Sequence, residues 1–197
     1  MSKKWRFKKK LLCVIPASQQ CDLGIWSRSL CLDKGLKYGT MIDLIETCFN
    51  DTEMGICIFN FGSLEIVKKK TILQAVEVLW DENIHHSSAK DIYFLGLEWG
   101  CEVIIDLLEK KFASNYKGKS RISGAAFIES APLSKKKQVS KELSLFLNDK
   151  VLNWYFLKIP HAINPNARYH ANLDRLSFTE KEKRIFGCYS IVAGNNI

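Results

Sequence analysis

The sequence predicts an α/β fold with a mostly parallel sheet flanked by helices, and two observations support this. Short apolar runs typical of buried strands alternate with stretches of helical spacing, which is the pattern of βαβ units. Residues 92–101 also read Ile-Tyr-Phe-Leu-Gly-Leu-Glu-Trp-Gly-Cys, a strand-to-helix turn of the G-x-S-x-G kind with Glu98 in the serine position. That turn refines the prediction to a small α/β-hydrolase-like domain.

The five predicted strands are apolar runs bounded by polar or turn residues. They cover residues 11–15, 54–59, 92–95, 122–128 and 153–159. Helical spacing predicts helices over residues 38–49, 101–112, 139–147 and 179–186, and a further helix capped by Thr71 that continues to Leu79. Because no linker or repeat interrupts this pattern, we expect one domain over residues 11–197, preceded by a basic N-terminal arm over residues 1–10.

The chain is basic, with a net charge of +8 at pH 7 and a pI near 9.1. Much of the excess lies in three lysine-rich runs, at residues 3–10, 68–70 and 135–137. Such runs are usually solvated surface, and the alternative is electrostatic contact with nucleic acid or an acidic partner. Because no RNP, KH or zinc-finger signature is present, contact with RNA is expected to involve its backbone and to be salt-sensitive. The candidate contacts are Lys68, Lys69, Lys70, Lys135, Lys136 and Lys137.

Cysteine usage and hydropathy indicate the compartment. No apolar stretch approaches the roughly 20 residues that span a bilayer, and the apolar run at residues 11–16 is too short for a signal peptide. The seven cysteines include no C-x-x-C pair and lie mostly in apolar segments. We therefore expect a reducing compartment, nuclear or cytoplasmic, with no metal and no cofactor. Without further ligands, the adjacent pair His85-His86 is not expected to form a metal site, because neighbours along a helix do not face each other.

The turn at Glu98 lacks the hydroxyl that a serine hydrolase requires. Gly96 and Gly100 bracket the turn, and Trp99 follows Glu98 at the mouth of any residual pocket. The loop after the first strand begins with Pro16-Ala17, without the glycine that lets the backbone approach an oxyanion. Both features predict the loss of serine-type hydrolysis.

A carboxylate can itself be a nucleophile, so catalysis through Glu98 stays an alternative. In the chain order of a hydrolase triad, Glu129 takes the acid position after the fourth strand, and His161 or His170 would supply the histidine. We expect His170 to lie beyond about 3.2 Å from Glu98, outside direct hydrogen-bond reach.

Four blocks of the chain carry a resemblance to a known family. They are Gly24-x-Trp26-x-Arg28-x-Leu30, Gly39-Thr40-Met41-Ile42, Gly55-Ile56-x-Ile58-x-Asn60 and a segment that ends in Trp80-Asp81. Over about residues 10–180 the chain resembles the Argonaute-binding protein two domain. That domain occurs in fungal siRNA chaperone subunits, in an animal co-transcriptional regulator and in some fungal class II histone deacetylases.

The resemblance also implies that the catalytic positions of this scaffold are replaced. The His-Ser-aromatic-Gly-Gly elbow of animal members corresponds to residues 97–101, and the His-Gly of the first strand corresponds to Pro16-Ala17. The Thr-Asp-Ser after a later strand is matched by Ile128-Glu129-Ser130, and the late Asp-Arg-His by Asp174-Arg175-Leu176. The chain is therefore expected to be a pseudohydrolase.

The family features are closest to those of the fungal siRNA chaperone subunit. The resemblance implies a non-catalytic subunit that joins an Argonaute protein and a second Argonaute-binding subunit in small-RNA-directed heterochromatin assembly, in nucleus and cytoplasm. Contact with small RNA would be indirect or through the RNA backbone. One alternative is a chromatin-silencing binding module of the histone-deacetylase-associated type, and another is an esterase-like hydrolase that uses Glu98.

Overall fold

Within the part of the chain that the structure describes, five strands form one sheet in which every pairing is parallel. The structure, a computed structural model, describes residues 4–16, 23–59, 69–113, 116–128 and 139–154. The strands, in the spatial order β2-β1-β3-β4-β5, are β1 (Lys10–Ile15), β2 (Met54–Ile58), β3 (Asp91–Leu97), β4 (Ile122–Ile128) and β5 (Val151–Trp154). The predicted α/β class with a mostly parallel sheet is confirmed.

Helices connect the strands and flank the sheet. They are α1 (Arg28–Lys34), α2 (Leu36–Gly39), α3 (Ile42–Asn50), α4 (Lys69–Leu79), α5 (Trp99–Ala113) and α6 (Lys141–Asp149). A π-helical turn (Trp80–Ile84) extends α4, and 3-10 turns cover Trp5–Phe7 and Lys117–Arg121. No helix among the described residues combines the length and apolarity that crossing a membrane requires.

The two faces of the sheet have separate apolar cores. The larger core lies against α4, α5 and α6 and includes the fully buried rings of Trp80, Phe94 and Phe127. The smaller core joins β1 and β2 to α3 and contains Met41 and Cys48. Both faces of the sheet are buried, so apolar side chains are required on each of them, and the strand sequences are nearly continuous apolar runs.

Most element ends are shifted by one or two residues from the sequence prediction, and the differences include the following three. The helix α4 already begins at Lys69, so Thr71 lies inside its first turn and does not cap it. The single helix predicted over residues 38–49 is interrupted at Thr40, whose extended backbone pairs with Ile25. The fifth strand begins at Val151, two residues earlier than predicted, because it enters the ladder directly after α6. The predicted helix over residues 179–186 lies outside the described residues.

The described part of the predicted basic arm packs against the domain. Trp5 is only 5% exposed and belongs to the larger core, and Lys10 is the first residue of β1. The carbonyl of Arg6 accepts hydrogen bonds from the backbone N–H and the hydroxyl of Ser88, each at 2.8 Å. Residues 4–10 therefore form part of the folded unit.

Candidate functional site

Glu98 lies in a sharp turn between β3 and α5. Its φ of 48° is the only positive value among the described non-glycine residues. This left-handed conformation lets the chain reverse from Leu97, at the end of β3, to Trp99, the first residue of α5, within one residue. The structure thus places Glu98 in the tight strand-to-helix turn that the sequence predicts.

Close contacts at the turn require a glycine at Gly100 and leave little room for a side chain at Gly96. A Cβ on Gly100 would lie 2.3 Å from the carbonyl oxygen of Ile15, at the end of β1. A Cβ on Gly96 would lie 2.8 Å from Cδ1 of Ile104 and 3.0 Å from Cα of Cys101. The G-x-E-x-G spacing is therefore what allows α5 to pack directly against β1 and β3.

Hydrogen bonds hold the turn in place. The Glu98 N–H donates to the carbonyl of Ile128 at 2.7 Å, and the Cys101 N–H donates to the carbonyl of Glu98 at 3.1 Å. The Glu98 side chain is exposed, whereas Trp99 is half-buried and packs against the larger core. The carboxylate therefore stands on a rigid backbone and faces solvent.

The turn also lies where the strand order reverses. The chain passes from β1 outward to β2 and then returns to place β3 on the other side of β1. In open parallel sheets, ligands bind outside the carboxyl ends of the two strands at this switch point. Glu98, at the end of β3, and Pro16, at the end of β1, occupy that position.

The described groups at the turn offer little for hydrolysis. Glu98 carries no hydroxyl, and Pro16 has no N–H to donate to an oxyanion. Burial raises the pKa of the Cys101 thiol to about 12, so this neighbouring sulfur stays protonated at neutral pH. The described residues contain no group of three or more His, Cys, Asp or Glu side chains that could hold a metal ion.

Several predicted site residues lie outside the described residues. They are Glu129, His161, His170, Asp174, Arg175, Lys68, Lys135, Lys136 and Lys137, and the Ala17 position of the oxyanion loop. The predicted separation of Glu98 and His170 therefore stays a prediction. Lys69 and Lys70 are the first two residues of α4, and the structure describes their backbone but not their side chains.

The first two family blocks close a compact loop over residues 24–41, hereafter the 24–41 loop. Met41 N–H donates to the carbonyl of Gly24, and Trp26 N–H donates to the carbonyl of Gly39, both at 2.8 Å. A Cβ on Gly39 would lie 2.4 Å from the backbone nitrogen of Cys31, so α1 and α2 can meet only at a glycine. Arg28 is the first residue of α1, and its side chain is exposed.

Thr40 joins the 24–41 loop to α3. Its hydroxyl donates to the carbonyl of Leu36 at 2.7 Å and accepts from the N–H of Ile42 at 3.4 Å. This closure was not predicted from the sequence, although its paired glycines, Gly24 and Gly39, are a local signal for it.

The Trp80-Asp81 block lies away from Glu98, with Trp80 over the middle of β3. Trp80 is fully buried and stacks on Phe94 with ring centroids 5.6 Å apart, and the Asp81 carboxylate pairs with Lys111 at 2.6 Å. Because Phe94 precedes Glu98 by four residues at about 3.3 Å each, roughly 13 Å separates Trp80 from the turn. Trp80 therefore supports the core, and the structure does not bring it together with Glu98.

Comparison with known proteins identifies one matching family. The Arb2 domain matches residues 1–75 and 65–160, and no curated protein sequence matches the chain. Among solved structures, a histone deacetylase from Saccharomyces cerevisiae superposes with a TM-score of 0.51 at 14% identity, over 83% of this chain and 68% of that one. The histone deacetylase Clr3 superposes with a TM-score of 0.53 at 18% identity, over 78% of this chain and 25% of that one. At these identities the two structures show a shared fold.

Proposed function

Since the chain belongs to the Arb2 domain family, we propose that it is a non-catalytic subunit of an Argonaute siRNA chaperone complex that acts in small-RNA-directed heterochromatin assembly. Its partners in this proposal are an Argonaute protein and a second Argonaute-binding subunit, in nucleus and cytoplasm. The observation that carries the proposal is the family match over residues 1–160, because the family takes its name from Argonaute binding.

The geometry at Glu98 supports a binding role. The turn keeps a strained φ of 48° and a sterically required glycine, Gly100, yet it presents a carboxylate where a hydrolase presents a hydroxyl. The contacts of Gly100 with β1 and of Glu98 N–H with β4 give the turn a packing role that does not depend on catalysis. A domain of this kind acts through its surfaces.

A second candidate is a binding module of chromatin-silencing machinery of the histone-deacetylase-associated type. The observation that favours it is that both superposed structures are histone deacetylases. In this alternative the chain contacts histones or a silencing partner.

Affinity purification of the tagged chain from native extract, with proteins and small RNA identified together, separates the two candidates. Recovery of an Argonaute with duplex small RNA supports the first, whereas recovery of a deacetylase without Argonaute supports the second.

Hydrolysis of an activated ester tests the non-catalytic assignment. We expect the purified chain and its Glu98→Gln variant to show the same background rate, because no hydroxyl nucleophile stands at the turn. A rate above background that disappears in Glu98→Gln would overturn the assignment and restore the esterase-like alternative.

A further inference from the structure

The 24–41 loop and its immediate flanks carry a concentration of exposed apolar side chains. Of the ten large apolar side chains that are exposed among the described residues, six lie within residues 23–42, and the other four are scattered. The most exposed of these six are Leu32 at 87%, Tyr38 at 66% and Leu36 at 65%. Clustered apolar exposure of this kind marks interaction surfaces, whereas single exposed apolar residues are ordinary.

The loop displays these side chains on a fixed scaffold. Isolated helices of seven and four residues are unstable in water, yet α1 and α2 are held by the Gly24–Met41 and Trp26–Gly39 hydrogen bonds at the base. No residue of α1 is buried, so this helix adds nothing to either core. The exposed apolar side chains of α1 are therefore available to a binding partner. Because the hydrogen bonds fix their positions before binding, the entropic cost of association is lowered.

The charges on the loop indicate what covers it. Arg28, Lys34 and Lys37 outnumber Asp33 across α1 and α2. Residues 155–197 of the same chain carry six Lys or Arg against three Asp or Glu, and residues 129–138 carry three Lys against one Glu. A second copy of the chain, with its net charge of +8, would likewise bring positive charge against positive charge. Residues 60–68 carry one Lys and one Glu, and residues 17–22 carry one Asp but no large apolar side chain. An occupant that is both acidic and apolar fits the surface better than any of these.

We propose that the 24–41 loop is a docking surface for an acidic amphipathic segment of a partner protein. The apolar side chains of that segment cover Leu32, Leu36 and Tyr38, and its carboxylates meet Lys34 and Lys37. This rests on the proposed function only in that the chain acts as a binding subunit. It identifies a face of the subunit and the chemistry of the segment that binds there.

The probe is a synthetic amphipathic helical peptide of leucine and glutamate, about 18 residues long, with a twin in which lysine replaces every glutamate. In fluorescence anisotropy we expect the acidic peptide to bind at least tenfold more tightly than its twin and to weaken at high salt. Leu32→Glu and Tyr38→Glu should each weaken the binding at least tenfold without changing the melting temperature, because both side chains are exposed. Leu145→Glu, at a 54% exposed position on α6, is the matched control and should leave binding unchanged.

Four results overturn the docking proposal. They are equal binding of both peptides, equal weakening by Leu145→Glu, a dimer in light scattering that Leu32→Glu dissociates, and NMR shifts in residues 155–197 caused by Leu32→Glu. The first two indicate non-specific adhesion, the third a second copy and the fourth the chain itself as occupant.

The docking surface and the proposed function can fail separately. A chain that binds the acidic peptide but recovers no Argonaute from extract overturns the proposed function alone. A chain that recovers Argonaute but does not bind the peptide overturns the docking surface alone.

Discussion

Glu98 adopts a backbone conformation that a residue with a Cβ occupies at a cost of roughly 1–2 kcal/mol. Its side chain is exposed, so packing of the carboxylate does not offset that cost. Neighbouring contacts offset the cost of this conformation. The turn allows Gly100 to pack against the carbonyl of Ile15 and allows the Glu98 N–H to donate to the carbonyl of Ile128. The turn is therefore maintained by the junction of β1, β3, β4 and α5.

Substitutions at the turn should separate backbone geometry from side-chain identity. Gly100→Ala is expected to lower the free energy of unfolding by about 2 kcal/mol or more, because its Cβ meets a backbone carbonyl at 2.3 Å. Glu98→Gly should change it by less than about 1 kcal/mol, since the relief of the left-handed conformation offsets the added chain entropy. Urea denaturation of both variants measures the difference. A Gly100→Ala variant as stable as the parent would contradict the assigned packing.

Buried thiols make the protein sensitive to alkali. Burial raises the pKa of Cys57 to about 11 and that of Cys101 to about 12, from an ordinary value of 9.0. The stability linked to these protonated thiols is therefore complete below pH 9 and is lost as pH rises to about 11–12, because the unfolded chain releases its protons first. The slope is at most about 1.4 kcal/mol per pH unit for each thiol.

The Cys57→Ala/Cys101→Ala double variant tests this dependence. Its free energy of unfolding is expected to fall less steeply than that of the parent between pH 9 and 11, although both small cavities lower its value at pH 7. Denaturant titrations at several pH values measure the two slopes. Parallel slopes would assign the alkaline loss of stability to other groups.

Arg121 joins elements at the amino-terminal edge of the sheet. Its guanidinium donates to the carbonyls of Ala89 at 2.7 Å, His85 at 2.9 Å and Ser87 at 2.7 Å, and also to the Ser87 hydroxyl at 2.9 Å. One side chain thereby fixes the connection between the π-helical turn and β3 to the start of β4. A planar group with five donors is suited to this task, whereas an ammonium is not.

Arg121→Lys is therefore expected to be destabilising despite keeping the charge. The loss of several hydrogen bonds to half-buried carbonyls should cost about 2 kcal/mol, which corresponds to roughly 4–8 °C in melting temperature for a chain of this size. Lys119→Ala is the matched control, because Lys119 lies in the same 3-10 turn and forms only an exposed ion pair with Glu142, expected to contribute less than about 1 kcal/mol. Equal melting temperatures for the two variants would argue against the role of Arg121.

Features with a local sequence signal could be predicted, and features made by distant contacts could not. The strand Ile122–Ile128 and the turn at Glu98 were predictable because an apolar run and a G-x-E-x-G spacing each lie within a few consecutive residues. The contacts of Arg121 join residues more than thirty positions apart in sequence, and no local pattern reports them. The π-helical turn was not predicted either, and Trp80 at its start stacks on Phe94, a contact that no local pattern reports.

The net charge of the whole molecule affects which partners it attracts, independently of its fold. A net charge of +8 favours association with nucleic acid or acidic protein surfaces, and its effect decays within a Debye length of about 8 Å at physiological salt. Among the described lysines, Lys9, Lys110 and Lys119 are already paired with Glu53, Glu77 and Glu142. Lysines in such pairs contribute less to long-range attraction than unpaired ones.

Alanine substitution of Lys68, Lys69 and Lys70, and separately of Lys135, Lys136 and Lys137, tests whether the lysine runs carry association with the small-RNA complex. If they do, each triple variant should recover less Argonaute-bound small RNA, and the parent should lose recovery as salt is raised from 50 to about 200 mM. The matched control is Lys9→Ala/Lys110→Ala/Lys119→Ala, which lowers the net charge by the same three units through paired, exposed lysines. Because attraction between extended charge distributions depends on where the charge lies, the control should retain most of the recovery. Equal losses in all three variants would mean that net charge alone governs the association, and unchanged recovery in all three would assign the lysine runs to solvated surface.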